Sequence, residues 1–273
     1  MSHPAYGLLR QVTSLAAVVL APNPSPMTLE GTNTWILRMP LADESIVVDP
    51  GPDVAGHLRA VHSVAGRVSS ILLTHGHFDH SEGAKRLHEM TGAPVRALDP
   101  SHRLGAEGLD EGDVVVVGDL EVRVWSTPGH TSDSLSFLLG HGTDTAPAVL
   151  TGDTILGRGT TVVAYPDGDL ADYLDSLRRL QHLGDATVLT GHGPELPRAG
   201  EAAAAYLAHR EQRLDQVRVA VAELCDESRE ADAAQVDPHA IVERVYADVD
   251  RVLWPAAEMS VRAQLKYLSD QAG

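Results

Sequence analysis

The sequence predicts a mixed α/β fold with sheets that are at least partly antiparallel, followed by a helical C-terminal appendage. Three observations lead there. Short apolar runs bounded by turn residues recur from Leu15 to Leu150, the pattern of strands in a packed sheet. Several of these runs follow one another with no helical segment between them, which a purely parallel, doubly wound sheet does not allow. Beyond Pro197 the composition shifts to alanine and charged residues.

In chain order, the run Leu15 to Ala21 reads as a first strand. It is too weakly flanked by basic residues, with Arg10 alone before it and Pro22 directly after it, to be a signal-peptide core. Strands follow at Thr34 to Leu37, Ile46 to Asp49, Val68 to Thr74, Val114 to Val117, Val122 to Trp125, Leu135 to Leu139 and Ala148 to Leu150. Gly118-Asp119, set between Val117 and Leu120, supplies a two-residue hairpin turn. Helical spacing covers Val54 to Ser63, Gly83 to Met90 and Leu170 to Leu183, the last with Leu170, Leu174, Leu177 and Leu180 on one face. In the appendage, helices are expected over Glu201 to Glu227, His239 to Ala247 and Glu258 to Leu268. The expected division is a catalytic domain over 1–198 and a small helical domain over 199–273.

Composition narrows the function. With 273 residues and 43% hydrophobic content the chain can bury a full core, and no apolar run is long enough to span a membrane. Twenty-one Lys plus Arg against 38 Asp plus Glu leave a net charge of −17, which argues against coating DNA. A single cysteine, Cys225, excludes an internal disulfide and a Cys-rich zinc site, and fits a reducing, cytoplasmic location. The surplus to explain is 14 histidines.

Five of them fall into a pattern. The strand ending at Thr74 delivers His75-Gly76-His77-Phe78-Asp79-His80, a cluster expected by chance about 0.003 times in such a chain. Imidazoles and a carboxylate are donors that zinc, iron and manganese accept. An extended loop here would aim His75 and His77 one way and Asp79 and His80 toward a second position. Three later fragments, Thr127 to Thr131, Thr151 to Thr154 and Thr190 to Pro194, each place one donor beside a glycine at an expected strand end: His130, Asp153 and His192. The other nine histidines, among them His3, His57, His141 and His209, read as ordinary surface or core residues.

This set resembles the metallo-β-lactamase superfamily over residues from about 30 to 195. The resemblance implies a four-layer αββα sandwich with metals at one edge of two sheets. Carried over by position, it implies His75, His77 and His130 on a first metal, Asp79, His80 and His192 on a second, and Asp153 bridging. Asp49, before Pro50-Gly51, matches the family's early strand-end aspartate, which supports the metal loop without ligating. The segments Asn23 to Thr34, Gly152 to Thr161 and Tyr206 to Arg210 resemble the lactamase-beta-like, endoribonuclease-type branch, and with them the resemblance runs over nearly the whole chain. That branch carries a C-terminal winged-helix-like domain, which fits the helical tail.

Two divalent metals, zinc foremost with iron or manganese as alternatives, would acidify a bridging water and clamp a substrate oxygen, making hydrolysis the reaction class. Asp79 would hold the resulting hydroxide for attack. A cysteine stands where Asp153 does in true dinuclear β-lactamases, so antibiotic hydrolysis is not expected. The first expectation is a phosphodiesterase acting on single-stranded RNA. The alternative is a hydrolase of a small thioester or ester, like glyoxalase II, although that family's basic C-terminal residues for glutathione are not found. A nucleic-acid-binding module with a vestigial site disagrees with the intact donor set, and residues 239–247 offer duplex DNA only Arg244. A mononuclear iron enzyme would use a similar first triad. For substrate, Arg158 could meet a phosphate or carboxylate, or be a solvated loop charge. Thr32 and Asn33 could line the pocket or simply form a turn. Tyr165 and Tyr173 could stack on a base or pack in the core.

Overall fold

The computed structural model describes residues 5–140, 147–228 and 236–272; His3 and His141 lie outside them. Two mixed sheets stack face to face. The first comprises β1 (Leu9–Gln11), β2 (Ala16–Leu20), β3 (Asn33–Leu37), β4 (Glu44–Val48), β5 (Arg67–Leu72) and β6 (Val95–Arg96), in that spatial order. The second comprises β7 (Val114–Val117), β8 (Leu120–Ser126), β9 (Leu135–Gly140), β10 (Ala148–Gly152) and β11 (Thr187–Thr190), ordered β11-β10-β9-β8-β7. Pairing is antiparallel except for β4 with β5, β5 with β6 and β10 with β11. Helices intervene before the parallel partners: α1 (Ala55–Ala65) precedes β5, a one-turn α2 (Phe78–Ser81) and α3 (Ala84–Thr91) precede β6, and α4 (Leu170–Gln181) precedes β11. A parallel neighbour needs such a crossover, whereas Gly118-Asp119 closes the β7–β8 hairpin directly.

Alternation along the strands sorts side chains into layers. Trp35, Leu37, Ile46, Val48 and Leu72 from the first sheet meet Val122, Val124, Phe137, Leu139 and Leu150 from the second in a central core. On the outer face of the first sheet, Ile36, Val47 and Ile71 pack on Leu58 and Val61 of α1 and Leu87 of α3. On the outer face of the second, Leu138, Val149 and Val188 pack on the apolar face of α4, Leu170, Tyr173, Leu174, Leu177 and Leu180. The result is the expected αββα sandwich. Asp169 starts α4 by accepting from the backbone N–H groups of Ala171 and Asp172, a normal N-cap.

The C-terminal part is helical: α5 (Ala199–Ser228), α6 (Pro238–Val245), capped by Asp237, and α7 (Trp254–Ala272). The helix α5 serves two cores. Ala199, Ala203, Tyr206 and Leu214 join the α4 layer, while Val217 and Ala220 join a separate cluster with Ile241, Val242 and Val261. No helix among the described residues is long and apolar enough to cross a membrane.

The run Leu15 to Ala21 is the buried strand β2, as read from the sequence. Strands β1 and β6 were not anticipated; they are three and two residues long, too short to show a period. One local expectation is corrected: the metal-motif loop is extended only through His77, where φ is −59° and ψ 140°, and turns helical at Phe78.

Candidate metal centre

The seven donor residues of the sequence reading converge at one edge of the sandwich, five of them beyond strand ends and two on a helical turn. His75 and His77 follow β5, His130 follows β8, Asp153 follows β10 and His192 follows β11. The helical turn α2 brings Asp79 and His80 round to face His192. Among the described residues three donor groups stand close enough to hold an ion: His75, His77 and His130; His75, His80 and Asp153; and Asp79, His80 and His192.

In the first group His77 Nδ1 lies 3.1 Å from both His75 Nε2 and His130 Nε2. In the third, His80 Nε2 and His192 Nε2 are 3.2 Å apart, and Asp79 Oδ2 is 3.1 Å from His192 Nε2. Between the groups, Asp153 Oδ1 is 3.4 Å from His80 Nε2 and its Oδ2 is 3.4 Å from His192 Nε2 and 3.8 Å from His130 Nε2.

Whether these residues suit a metal is decided by what holds their outer atoms. His130 Nδ1 donates to Val162 O (2.6 Å), His192 Nδ1 to Gly31 O (3.1 Å) and His80 Nδ1 to Asp49 Oδ2 (2.9 Å). Thr74 Oγ1 donates to Asp49 Oδ2 and therefore accepts from His75 Nδ1 at 3.0 Å. With the protons fixed outside, the inner nitrogens turn lone pairs toward one another. That arrangement is repulsive unless a cation or added protons sit between them. Asp153 Oδ1 is buried with no hydrogen-bond partner. The donor set therefore fits divalent metal ions.

The charges of the protein's own groups differ between the two sides. Burial pushes His75 well below the usual imidazole range, and His130 down to about 4, so both are neutral. Burial also opposes charge on His80 and His192, but Asp153 and Asp79 overcome it, raising His80 well above its ordinary value and His192 to about 9. Against its own burial Asp79 is drawn down to about 2 by His80 and His192, and Asp153 falls well below the carboxylate range for the same reason.

Close backbone approach makes this crowding possible. A Cβ on Gly191 would stand 2.5 Å from Asp153 Oδ1 and 2.8 Å from His80 Cε1, so only glycine fits beside the centre there. Asp49 ends β4 with φ 51°, a left-handed conformation rare for a side chain. Three bonds hold it, from Thr74 N (2.8 Å), Thr74 Oγ1 (2.7 Å) and His80 Nδ1.

The remaining expected site residues are placed differently. Asn33 is 6% exposed and its amide donates to Thr190 O and Gly193 O, so it braces the His192 loop instead of facing substrate. Thr32 is buried, bonded to Asn23, with its hydroxyl 3.4 Å from Asp79 Oδ2. Arg158 lines a cavity beside the cluster, paired there through both guanidinium nitrogens with Glu30. Tyr173 is fully buried and donates to Thr154 O, so its ring is not offered to a base, and Tyr165 is half-buried against the same core.

Sequence reading missed a cavity of about 310 Å³ that opens on His130 and Asp153 and runs between the loop after β10 and the C-terminal helices. Met27, Leu29, Leu156, Val249 and Leu253 give it apolar walls, and His209, Arg210 and Arg213 of α5 line it too. The loop 156–163 forms part of the wall and is held from the C-terminal side. Leu156 N–H donates to Tyr206 Oη and Tyr206 donates back to Leu156 O; Val163 N–H donates to Ser260 Oγ and Arg210 to Thr161 O. A signal existed in Tyr206, Arg210 and Arg213, which recur at helical spacing on an otherwise alanine-rich segment.

A two-sheet sandwich with a His/Asp cluster at the shared sheet edge and a helical domain behind it defines a class of metal-dependent hydrolases. The chain belongs to the metallo-beta-lactamase superfamily, whose profile matches residues 27–192, and a beta-lactamase associated winged helix domain matches residues 238–271. It is 34% identical over 255 residues to an atrochrysone carboxyl ACP thioesterase of Aspergillus fumigatus, covering 87% of this chain and 76% of that one. It is 30% identical over 272 residues to a beta-lactamase-like protein 2 homolog of Caenorhabditis elegans, covering 95% and 86%. The fold matches a beta-lactamase domain protein from Burkholderia ambifaria with a TM-score of 0.79 at 23% identity, over 99% of this chain and 90% of that one.

Proposed function

We propose that this hydrolase cleaves small thioesters or esters, holding the acyl group in the cavity beside the metal centre. The observation that carries this reading is the cavity itself: apolar walls reach the edge of the donor cluster at His130 and Asp153, the shape of a small-molecule site. The relative named as a thioesterase agrees with it. In this reading His75, His77 and His130 would hold one metal and Asp79, His80 and His192 a second, with Asp153 available to both groups. Zinc is the metal we assign, since imidazole and carboxylate donors suit it.

The bound metals supply Lewis acidity at the acyl carbonyl and a water acidified toward neutrality. Asp79 stays ionised, accepts a hydrogen bond from the attacking water and aims it at the carbonyl carbon. The neutral, outwardly anchored His75 and His130 keep their donor atoms in place. Leu29, Leu156 and Leu253 exclude bulk water from the acyl group. A thiol, with a pKa near 8.5, leaves as thiolate without a proton donor, so thioester cleavage requires no general acid, and the proton lost by the water passes to solvent or to the released thiolate; an ester's alkoxide would need that proton as it leaves.

The RNA reading draws no support from the site. Tyr173 is a core residue, Arg158 is tied to Glu30, and the chain carries −17. The test is thiol release from uncharged N-acetylcysteamine thioesters by the zinc-loaded protein, with Asp79→Ala as control and an end-labelled unstructured RNA in parallel. Metal-dependent thiol release lost in the control is expected. Cleaved RNA with intact thioesters would overturn the proposal.

A further inference from the structure

Arg210 is the anomaly outside the metal centre. It is 4% exposed, yet no carboxylate lies within ion-pair distance of it among the described residues. One guanidinium nitrogen donates to Thr161 O, the group lies 4.9 Å over the Tyr173 ring, and Nε is buried with no partner. Burying a guanidinium without an anion is costly, and a stacked ring and one carbonyl offset little of that. Arg210 also lines the apolar cavity that opens on the metal centre.

Its neighbours do not relieve it. Arg158 is occupied by Glu30, and Arg213 donates to Val245 O and Gln216 Oε1 while lying over the Tyr246 ring. Asp153, the carboxylate in the lining, belongs to the metal cluster. On α7, Ser260 lines the same cavity, and Gln264 one turn later is 1% exposed with neither amide atom bonded. An apolar chamber thus carries a desolvated cation with an unused donor, while its other arginines are engaged.

We propose that Arg210 is the subsite for an anionic group, a carboxylate, carried on the acyl portion of the substrate. The preferred substrate is then a thioester or ester whose apolar acyl group bears a second acid. The acyl carbonyl lies at the metal centre and the distal carboxylate against the Arg210 guanidinium where it lines the cavity. This rests on the thioester reading above. The acyl portion, and not the thiol carrier, is assigned to this chamber because Met27, Leu29, Leu156, Val249 and Leu253 wall it.

The test compares N-acetylcysteamine half-thioesters of the straight-chain diacids from succinic to suberic, each against its terminal amide. The thiol is uncharged, so a preference reports the acyl group. For at least one chain length the wild-type protein is expected to favour the acid in kcat/KM by about 10–100-fold, the range of a charge-assisted bond. In Arg210→Gln the ratio should collapse toward one, and Arg210→Lys should restore part of it. Equal losses on acid and amide, with metal content falling, would make Arg210 a strap for the 156–163 loop and overturn the subsite, as would a wild type that does not discriminate.

Calorimetric binding of each free diacid relative to its monoamide, on the zinc-loaded protein, separates this proposal from the thioesterase reading. A diacid preference present in wild type and lost in Arg210→Gln upholds the subsite even without turnover of any thioester. Equal preference in both proteins overturns it whatever the activity.

Discussion

Asp49 and Asp79 divide the work of a carboxylate in two ways. Asp49 is spent on structure: it accepts three hydrogen bonds from Thr74 and His80 and in return is held at φ 51°. Asp49→Ala should leave the His80 ring without its anchor and lower metal affinity by about 10–100-fold. Metal analysis after dialysis against a weak chelator checks this, with loss on the Asp79, His80, His192 side expected first. Asp79 instead keeps 29% of its side chain exposed beside the cluster. Asp79→Ala should cut kcat by roughly 10²–10⁴-fold while leaving the circular-dichroism spectrum unchanged. The donor side chains were legible in the sequence because three histidines and an aspartate within six residues are improbable by chance. Their supports were less so, since Val162 O and Gly31 O are backbone atoms that carry no residue identity. Asn33 shows the converse: its position near the motif was readable, but the direction of its amide was decided by Thr190 and Gly193, 157 and 160 residues away.

At the scale of elements, the loop 156–163 joins the parts that matter. It presents Val162 O to His130, and its Gly157 N–H donates to His192 O at 2.9 Å. Tyr206 of α5 satisfies both backbone groups of Leu156, so Tyr206→Phe strands a buried N–H and C=O. A loss of about 1–3 kcal/mol in urea unfolding is expected, accompanied by weaker metal retention. Helix α1 carries a different liability. His57 is 3% exposed, bonded to Thr34 Oγ1 at 2.8 Å, and burial lowers its pKa from 6.5 to about 4. The unfolded chain therefore takes up this proton first. Stability from this group is complete above pH 6.5 and is lost as pH falls toward 4, by about 3 kcal/mol in all. His57→Gln should flatten the pH dependence of metal-free unfolding in that window. Strands and long helices were legible because period and turn residues declare themselves locally. The one-turn helix α2 was not, because four residues hold no period and the turn is imposed by the donors it has to aim.

For the whole molecule, the division expected at residue 198 cuts through the layer over the second sheet, because α5 begins at Ala199 and serves both that layer and the C-terminal core. A 30-residue helix is about 45 Å long, and its N-terminal part, as far as Leu214, contributes Ala203, Tyr206 and Leu214 to the layer over the second sheet. We propose that the working unit is the full chain: a protein ending at residue 198 should expose the α4 face, bind hydrophobic dye and aggregate, whereas one that stayed monomeric with full metal content would make the catalytic domain autonomous. Composition marked where the helical tail begins. It could not show that this tail helps to build the cavity, which exists only when α5, α7 and the loop after β10 are brought together.

The same short loop shapes the cavity wall through Leu156 and steadies His130 through Val162 O. Substrate range and metal loading are therefore inherited together. Any change that widens the chamber also tugs on the ring that anchors the first cluster, so a selection for bulkier substrates will be won by compensated pairs, one change in the loop and one in α5 or α7. Screens of single substitutions would score many well-shaped pockets as dead simply because they had let go of their ions.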